Sequence, residues 1–213
     1  TGRFFSFFAR SYRRRFAKKG LEPSQRQLMA GVCAQGIDGR SVIEVGCGVG
    51  YFHFLLLEAG ATRAVGVDLS AQMIAQAKAF ASERGHAERT SYHVGDFVVL
   101  ADVVEPADVT VLDKVVCCYP DPRALVTAST QKTKHMYALT IPRGHWWARA
   151  SFACVRALLW MVRSGFRPYV HDPLAIERIV VAQGFVKRHQ CETVFWLTQV
   201  YERAAAAPEA GRV

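Results

Sequence analysis

Residues Ser41–Asp68, SVIEVGCGVGYFHFLLLEAGATRAVGVD, decide how the rest of the chain is read. An apolar run (Val42, Ile43, Val45) stops at three alternating glycines, Gly46, Gly48 and Gly50. An amphipathic run follows, Gly60 punctuates it, and a second apolar run, Ala64–Val67, ends on Asp68. The pattern predicts strand, glycine turn, helix, strand and acid, which is half of a nucleotide-binding α/β sheet. Glycines in such a turn let the backbone pass close under a ligand, because no Cβ blocks the approach. The helix behind them offers free N–H groups and the positive end of its dipole. Asp68, at the carboxyl end of the second strand, is placed to accept hydrogen bonds from two ribose hydroxyls.

The spacing then chooses among nucleotides. A dinucleotide fingerprint needs a glycine where this chain has Tyr51, whereas the third glycine falls at Gly50. Glu44 lies just before the turn, and a carboxylate there repels a pyrophosphate but suits a ligand carrying an ammonium group. Glu44, an apolar residue and then Gly46-Cys47-Gly48-Val49-Gly50 resemble motif I of the class I S-adenosylmethionine-dependent methyltransferases. That resemblance implies S-adenosylmethionine as cofactor and S-adenosylhomocysteine as product, bound by Glu44, Gly46, Cys47, Gly48, Gly50 and Asp68. The plain alternative is a glycine-rich strand-to-helix turn with no ligand.

Length and composition set the frame. The 213 residues are 51% hydrophobic, which suits a single domain with a sizeable core. The net charge of +9 favours anionic partners without choosing among carboxylates, phosphates, nucleic acid and acidic lipid. The six cysteines form no C-x-x-C pair and no Cys/His ligand spacing, so no metal site is expected. They read as buried thiols in a reducing compartment. No signal peptide is recognisable, and the longest apolar stretch, Ala153–Val162, is interrupted by Arg156 and too short to span a bilayer. The expectation is a cytoplasmic protein of unassigned oligomeric state.

Residues 1–20 place Phe5, Phe8, Tyr12 and Phe16 on one helical face, with Arg10, Arg13, Arg14, Arg15, Lys18 and Lys19 around them. Three readings stand: a helix docked by its aromatic stripe, a lid over cofactor and substrate, or a basic amphipathic helix that meets a membrane surface or nucleic acid. Residues 23–38 predict a further helix, closed by Gly36 and Gly39. Ser70 is the expected N-cap of a helix over Ala71–Arg84, and Leu69 and Met73 are placed to flank an adenine ring. Thr90–Val94 alternates like a strand and runs into Gly95-Asp96-Phe97. In the family resembled, an acid here bonds the adenine amino group and its apolar neighbour packs on the ring, so Asp96 and Phe97 take those parts.

Asp108–Leu112 is a β-branched strand leading into Asp113-Lys114-Val115-Val116-Cys117-Cys118-Tyr119-Pro120. The resemblance places this segment beneath the transferred methyl group, with Asp113 and Lys114 against the methionine part and Tyr119 at the substrate mouth. Asp113 and Lys114 also read as a surface ion pair. Further on, His135–Ile141 predicts a fifth strand, and Arg143-Gly144-His145-Trp146-Trp147 lies at its carboxyl end, the ligand edge of an open α/β sheet. Ala148–Val162 and residues 165–171 are expected to form a cap. Asp172 caps a last helix, and Phe185–Cys191 with Val194–Tyr201 reads as a closing antiparallel hairpin.

Taken together this layout resembles the class I arrangement, which implies an α/β three-layer sandwich around a seven-stranded, mostly parallel sheet in the order 3-2-1-4-5-7-6. The whole chain, 1–213, then forms one domain: an N-terminal helical lid over 1–38, a cofactor-binding core over 39–141, a substrate cap over 142–171 inserted after strand 5, and a closing helix and hairpin over 172–203. Within the class, LDKVVCCYPD, RPYVHDPLAIERIVVAQGF and FWLTQVYER resemble segments of the Mg-protoporphyrin IX O-methyltransferases. The activity implied is methyl transfer to an oxygen, carboxylate or hydroxyl, of a planar or anionic small molecule. A carboxylate acceptor needs cations, for which Arg143, Arg167 and His171 are candidates; a hydroxyl acceptor needs a base, for which His145 or His171 is the choice. Each histidine also reads as a surface or packing residue. Trp146 and Trp147 read as structural residues or as walls of a pocket for a flat acceptor. Two other functions remain open: methylation of RNA gripped by the basic N-terminal helix, and S-adenosylmethionine binding without turnover.

Overall fold

The computed structural model describes residues 11–16, 18–161, 163 and 166–205. Phe5, Phe8, Arg10, Val162, Gly165 and the tail beyond residue 205 lie outside these, and the expectations resting on them stay there. Residues 11–16 and 18–19 are helical. After them come α1 (Pro23–Ala34), β1 (Ser41–Val45), α2 (Tyr51–Glu58), β2 (Arg63–Asp68) and α3 (Ala71–Glu83). The middle of the chain adds β3 (Thr90–Val94), α4 (Phe97–Leu100), β4 (Ala107–Asp113), α5 (Pro122–Gln131) and β5 (Thr133–Pro142). Last come α6 (Trp146–Met161), α7 (Pro173–Ala182), β6 (Phe185–Glu192) and β7 (Trp196–Arg203).

The strands form one sheet in the order β3-β2-β1-β4-β5-β7-β6, as expected. β1 pairs in parallel with β2 and with β4, and β7 runs antiparallel to both β5 and β6. Every residue of β1 is buried, which is why its sequence reads as a nearly continuous apolar run. Alternation across the pleat still divides it. Ile43 and Val45 join a core with Leu112, Leu139 and Val180 under α4, α5 and α7. Val42 joins the opposite core with Leu28, Val32, Leu56 and Val200 under α1 and α2. The result is the three-layer sandwich.

Local chemistry sets the element ends. Ser70 caps α3 by accepting from the Met73 N–H at 3.1 Å, Asp121 caps α5 through Ala124 and Asp172 caps α7 through Leu174. α1 stops at Ala34, short of the expected residue 38, because Gly36 turns the backbone left-handed at φ 83°. In α6 Ala148 is the buried residue, and the helix otherwise faces outward.

Candidate active site

The glycine turn between β1 and α2 works by backbone geometry. Gly46, Gly48 and Gly50 have φ of 66°, 53° and 79°, conformations that an L side chain resists by roughly 1–2 kcal/mol each. Space adds to the requirement at Gly46, where a Cβ would lie 2.5 Å from the Val115 side chain. At Gly48 the opposite holds: an added Cβ meets nothing within 4 Å, so the turn looks onto open space. The Gly46 and Cys47 N–H groups donate to Val67 O at 2.7 and 3.1 Å, fastening the turn to the end of β2. Asp68 completes it, with Oδ2 accepting from Gly48 N at 2.9 Å and Oδ1 from Ser70 N at 2.8 Å. Burial pushes the Asp68 carboxyl up, against the pull of these two N–H groups.

Glu44 is 4% exposed, and its Oε2 accepts from His53 N at 3.1 Å and pairs with His53 Nδ1 at 2.6 Å. The other imidazole nitrogen lies 3.1 Å from the Tyr92 hydroxyl. Burial raises the Glu44 carboxyl and pushes the Tyr92 phenol up to about 12. His53 was not singled out in the sequence, since a lone histidine inside YFHFLLLE gives no sign of a buried partner.

The residues expected around an adenine come together. Met73 and Phe97 are each 3% exposed, whereas Leu69 stays 44% exposed at the rim. Asp96 caps α4 through Val98 N at 2.9 Å and accepts from the Tyr119 hydroxyl at 2.9 Å. Burial and the Asp96 carboxylate push the Tyr119 phenol up to about 12.

The far side of the site is assembled from distant segments. Gln25 on α1 donates to Asp113 Oδ2 at 2.7 Å, while the buried Asp113 Oδ1 has no hydrogen-bond partner. Burial drives the Asp113 carboxyl up, and Lys114 with the Gln25 and Thr140 side chains pulls against it. Lys114, in the left-handed region at φ 60°, pairs with Glu22 and holds its ammonium 5.1 Å from the centre of the Trp196 ring. Glu22 also takes Arg15. Its burial disfavours the charged form, but Lys114 and Arg15 together hold the carboxyl below its usual value.

These parts enclose one cavity of about 390 Å³. Its wall includes Glu44, Gly46, Cys47, Gly48, Asp68, Leu69, Met73, Asp96, Phe97, Asp113, Lys114 and Tyr119, all singled out from the sequence. Gly50 stands behind the wall as the left-handed residue that opens α2. Tyr12, Arg15, Phe16, Glu22, Gln25, Cys118 and Trp196 are also part of the wall. Tyr12 and Phe16 pack against Val49, Met73 and Tyr51, so the described part of the N-terminal helix lies over the cavity.

The other candidates lie elsewhere. Arg143 is bound to Glu192 Oε2 at 2.7 Å and to Thr193 O at 3.2 Å, bracing the β6–β7 hairpin. His145 is exposed and stacks on Trp147. His171 bonds Tyr119 O at 2.9 Å from behind the wall, and Arg167 donates to Phe166 O at 2.9 Å. None of the four lines the cavity. Trp146 is 79% exposed, and Trp147 meets Phe195 edge-on at 5.0 Å. The six cysteines are unpaired, and the described residues contain no cluster of three metal-ligating side chains.

The fold and the turn define a class, and comparison with known proteins agrees. Residues 42–135 match the family model described as a methyltransferase domain. Residues 42–135 thus carry a methyltransferase domain, and the chain has the class I fold of the S-adenosylmethionine-dependent methyltransferases. Magnesium protoporphyrin IX methyltransferase from Synechocystis PCC 6803, crystallised with S-adenosylhomocysteine, is similar in structure, with a TM-score of 0.66 and 21% identity over 84% of this chain and 83% of that one. An S-adenosylmethionine-dependent methyltransferase from Mesorhizobium loti has a TM-score of 0.64 and 18% identity over 82% and 96%. Geranyl diphosphate C-methyltransferase from Streptomyces coelicolor A3(2) has a TM-score of 0.67 and 12% identity over 84% and 77%. No curated protein sequence matches the chain. Among the described residues, no helix is long and apolar enough to cross a membrane.

Proposed function

We propose that the protein methylates an oxygen of a small, planar and anionic molecule, a carboxylate in preference to a hydroxyl, and that the acceptor lies against Lys114 and Trp196. The observation that carries this reading is their position in the cavity wall: a cation over an indole face, paired with Glu22 and reaching into the same cavity as the glycine turn. Two features suit S-adenosylmethionine itself: the open space above Gly48 and the unpartnered, buried Oδ1 of Asp113, which fits an ammonium donor. In this arrangement Asp68 takes the ribose, Asp96 and Phe97 the adenine, and Asp113 with Glu44 the amino-acid end.

S-adenosylmethionine supplies a methyl group on a sulfonium leaving group, which becomes a neutral thioether as the acceptor oxygen takes the methyl. The chain's own task is alignment, because holding the nucleophile in line is where much of such a barrier is lowered. Lys114 holds the anionic acceptor, Trp196 fixes its plane, and Tyr12 with Phe16 excludes water from above. A carboxylate acceptor is already ionised at neutral pH, so no proton has to move. This suits a wall whose phenol, Tyr119, with its pKa pushed up to about 12, stays protonated at neutral pH and offers no ready base. The cations assigned to the acceptor are Lys114 and Arg15, which line the cavity and share Glu22, rather than Arg143, Arg167 and His171, which do not line it. The likeness to the magnesium protoporphyrin IX enzyme supports a flat acceptor. The unpaired cysteines support a reducing, cytoplasmic setting.

Transfer of labelled methyl from S-adenosylmethionine to a fractionated metabolite extract tests the proposal, followed by kinetics of Lys114→Met on the acceptor found. The expected result is an acceptor KM raised roughly tenfold or more with the cofactor KM unchanged. An uncharged acceptor, labelled RNA, or an acceptor KM indifferent to Lys114 would overturn it.

A further inference from the structure

Helix α6 presents an apolar surface that the cavity does not use. Trp146 is 79% exposed, Trp160 70%, Met161 69% and Leu158 57%. At 3.6 residues per turn, the half-buried Phe152 and Leu159 share the side of the buried Ala148. Arg149 and Arg156 lie along one flank, and the outward side carries no charge. Exposed, contiguous apolar faces are uncommon on proteins that stay in water and mark sites of contact. Within its own segment the charge has a single sign, although Arg143 at its start is paired with Glu192. From Arg143 to His171 the sequence contains five arginines and neither aspartate nor glutamate, on a chain whose net charge is already +9.

We propose that α6 is an interfacial helix that docks the protein on an anionic lipid bilayer. Trp160, Leu158 and Met161 enter the boundary between headgroups and acyl chains, and Arg149 and Arg156 meet the lipid phosphates. Tryptophan suits that depth because its ring is apolar while its N–H still finds a partner. At 16 residues the helix is too short to cross the bilayer and lies along it. A second copy of the chain is the poorer occupant, because two faces flanked only by arginines repel each other. The root of the helix is also informative. Trp147 packs on Phe195, whose neighbour Trp196 stands in the cavity wall, so docking sets the cavity rim beside the membrane.

Co-sedimentation of the full chain with phosphatidylglycerol–phosphatidylcholine vesicles, and with pure phosphatidylcholine vesicles, tests this. Binding is expected with the anionic vesicles and is expected to fall as salt shortens the range of the attraction. The double variant Leu158→Ser/Trp160→Ser, and separately Arg156→Glu, should each lower the bound fraction at least tenfold. Both should keep wild-type S-adenosylmethionine affinity and thermal midpoint, which shows that they fold. Equal binding to neutral vesicles, or anionic binding that survives the double variant, would overturn the proposal. So would binding that disappears on removal of residues 1–10 alone, which assigns the membrane to that segment. A dimer in sedimentation equilibrium that the double variant converts to monomer would give the face to a second copy and overturn it equally.

Discussion

The turn after β1 and the segment after β5 lie at the same carboxyl edge of one sheet, yet they are built in different ways. After β1 the ligand side is made of backbone, with left-handed glycines, N–H groups fastened to Val67 and a carboxylate locked by Gly48 and Ser70. After β5 it is made of side chains, and most are turned to other work. Arg143 braces a hairpin, His145 stacks on Trp147, and α6 shows its apolar residues to the outside. The first region depends on conformation and tolerates little change. The second braces the β6–β7 hairpin and shows an apolar helix to the outside, and its side chains stay out of the cavity wall, where the proposed acceptor residues Lys114 and Trp196 stand.

Substitutions sharpen this contrast in order of expected size. Gly46→Ala should do the most damage, combining left-handed strain with a Cβ forced onto Val115. Together these amount to about 2–4 kcal/mol, read as a lowered denaturation midpoint and loss of S-adenosylmethionine binding. Asp68→Ala should come next, weakening S-adenosylmethionine by about 1–3 kcal/mol in calorimetry through lost ribose hydrogen bonds and a loosened Gly48. Unchanged affinity would refute the ribose assignment. Arg143→Ala should do least: its partner Glu192 is partly exposed, so stability should fall by less than about 1 kcal/mol in thermal unfolding and both KM values should hold. A selective rise in acceptor KM would return Arg143 to the site and blur the comparison.

The same contrast explains what the sequence could tell. The elements were legible because buried β1, the glycine punctuation and the capping residues Ser70 and Asp172 are local signals, and the strand order followed from the resemblance that those elements carry. Gly46, Gly48 and Asp68 were legible because a left-handed turn admits few residue types and an acid at a strand end has few uses. Gln25, Glu22 and Trp196 were not, since their place at the cavity follows from tertiary packing of α1 over β5 and β7. Gln25 and Asp113 are 88 positions apart. Arg143 reads from the sequence as a free cation at a ligand edge; the β6–β7 hairpin, which supplies Glu192 as its partner, is invisible at that point of the chain. His53 was hidden for the same reason, as Glu44 and Tyr92 reach it from two strands.

In the proposed arrangement the cavity takes S-adenosylmethionine with its adenosine end at Asp68 and Asp96 and its amino-acid end at Asp113. Calorimetric titration of wild type and Asp113→Asn tests it most directly, using S-adenosylhomocysteine and, in parallel, 5′-methylthioadenosine, which lacks the amino-acid group. The account predicts that the substitution weakens S-adenosylhomocysteine by roughly 1.5–3 kcal/mol, the range for a hydrogen bond to a charged group, and leaves 5′-methylthioadenosine unchanged. Equal losses for both ligands, or no loss for either, would contradict it.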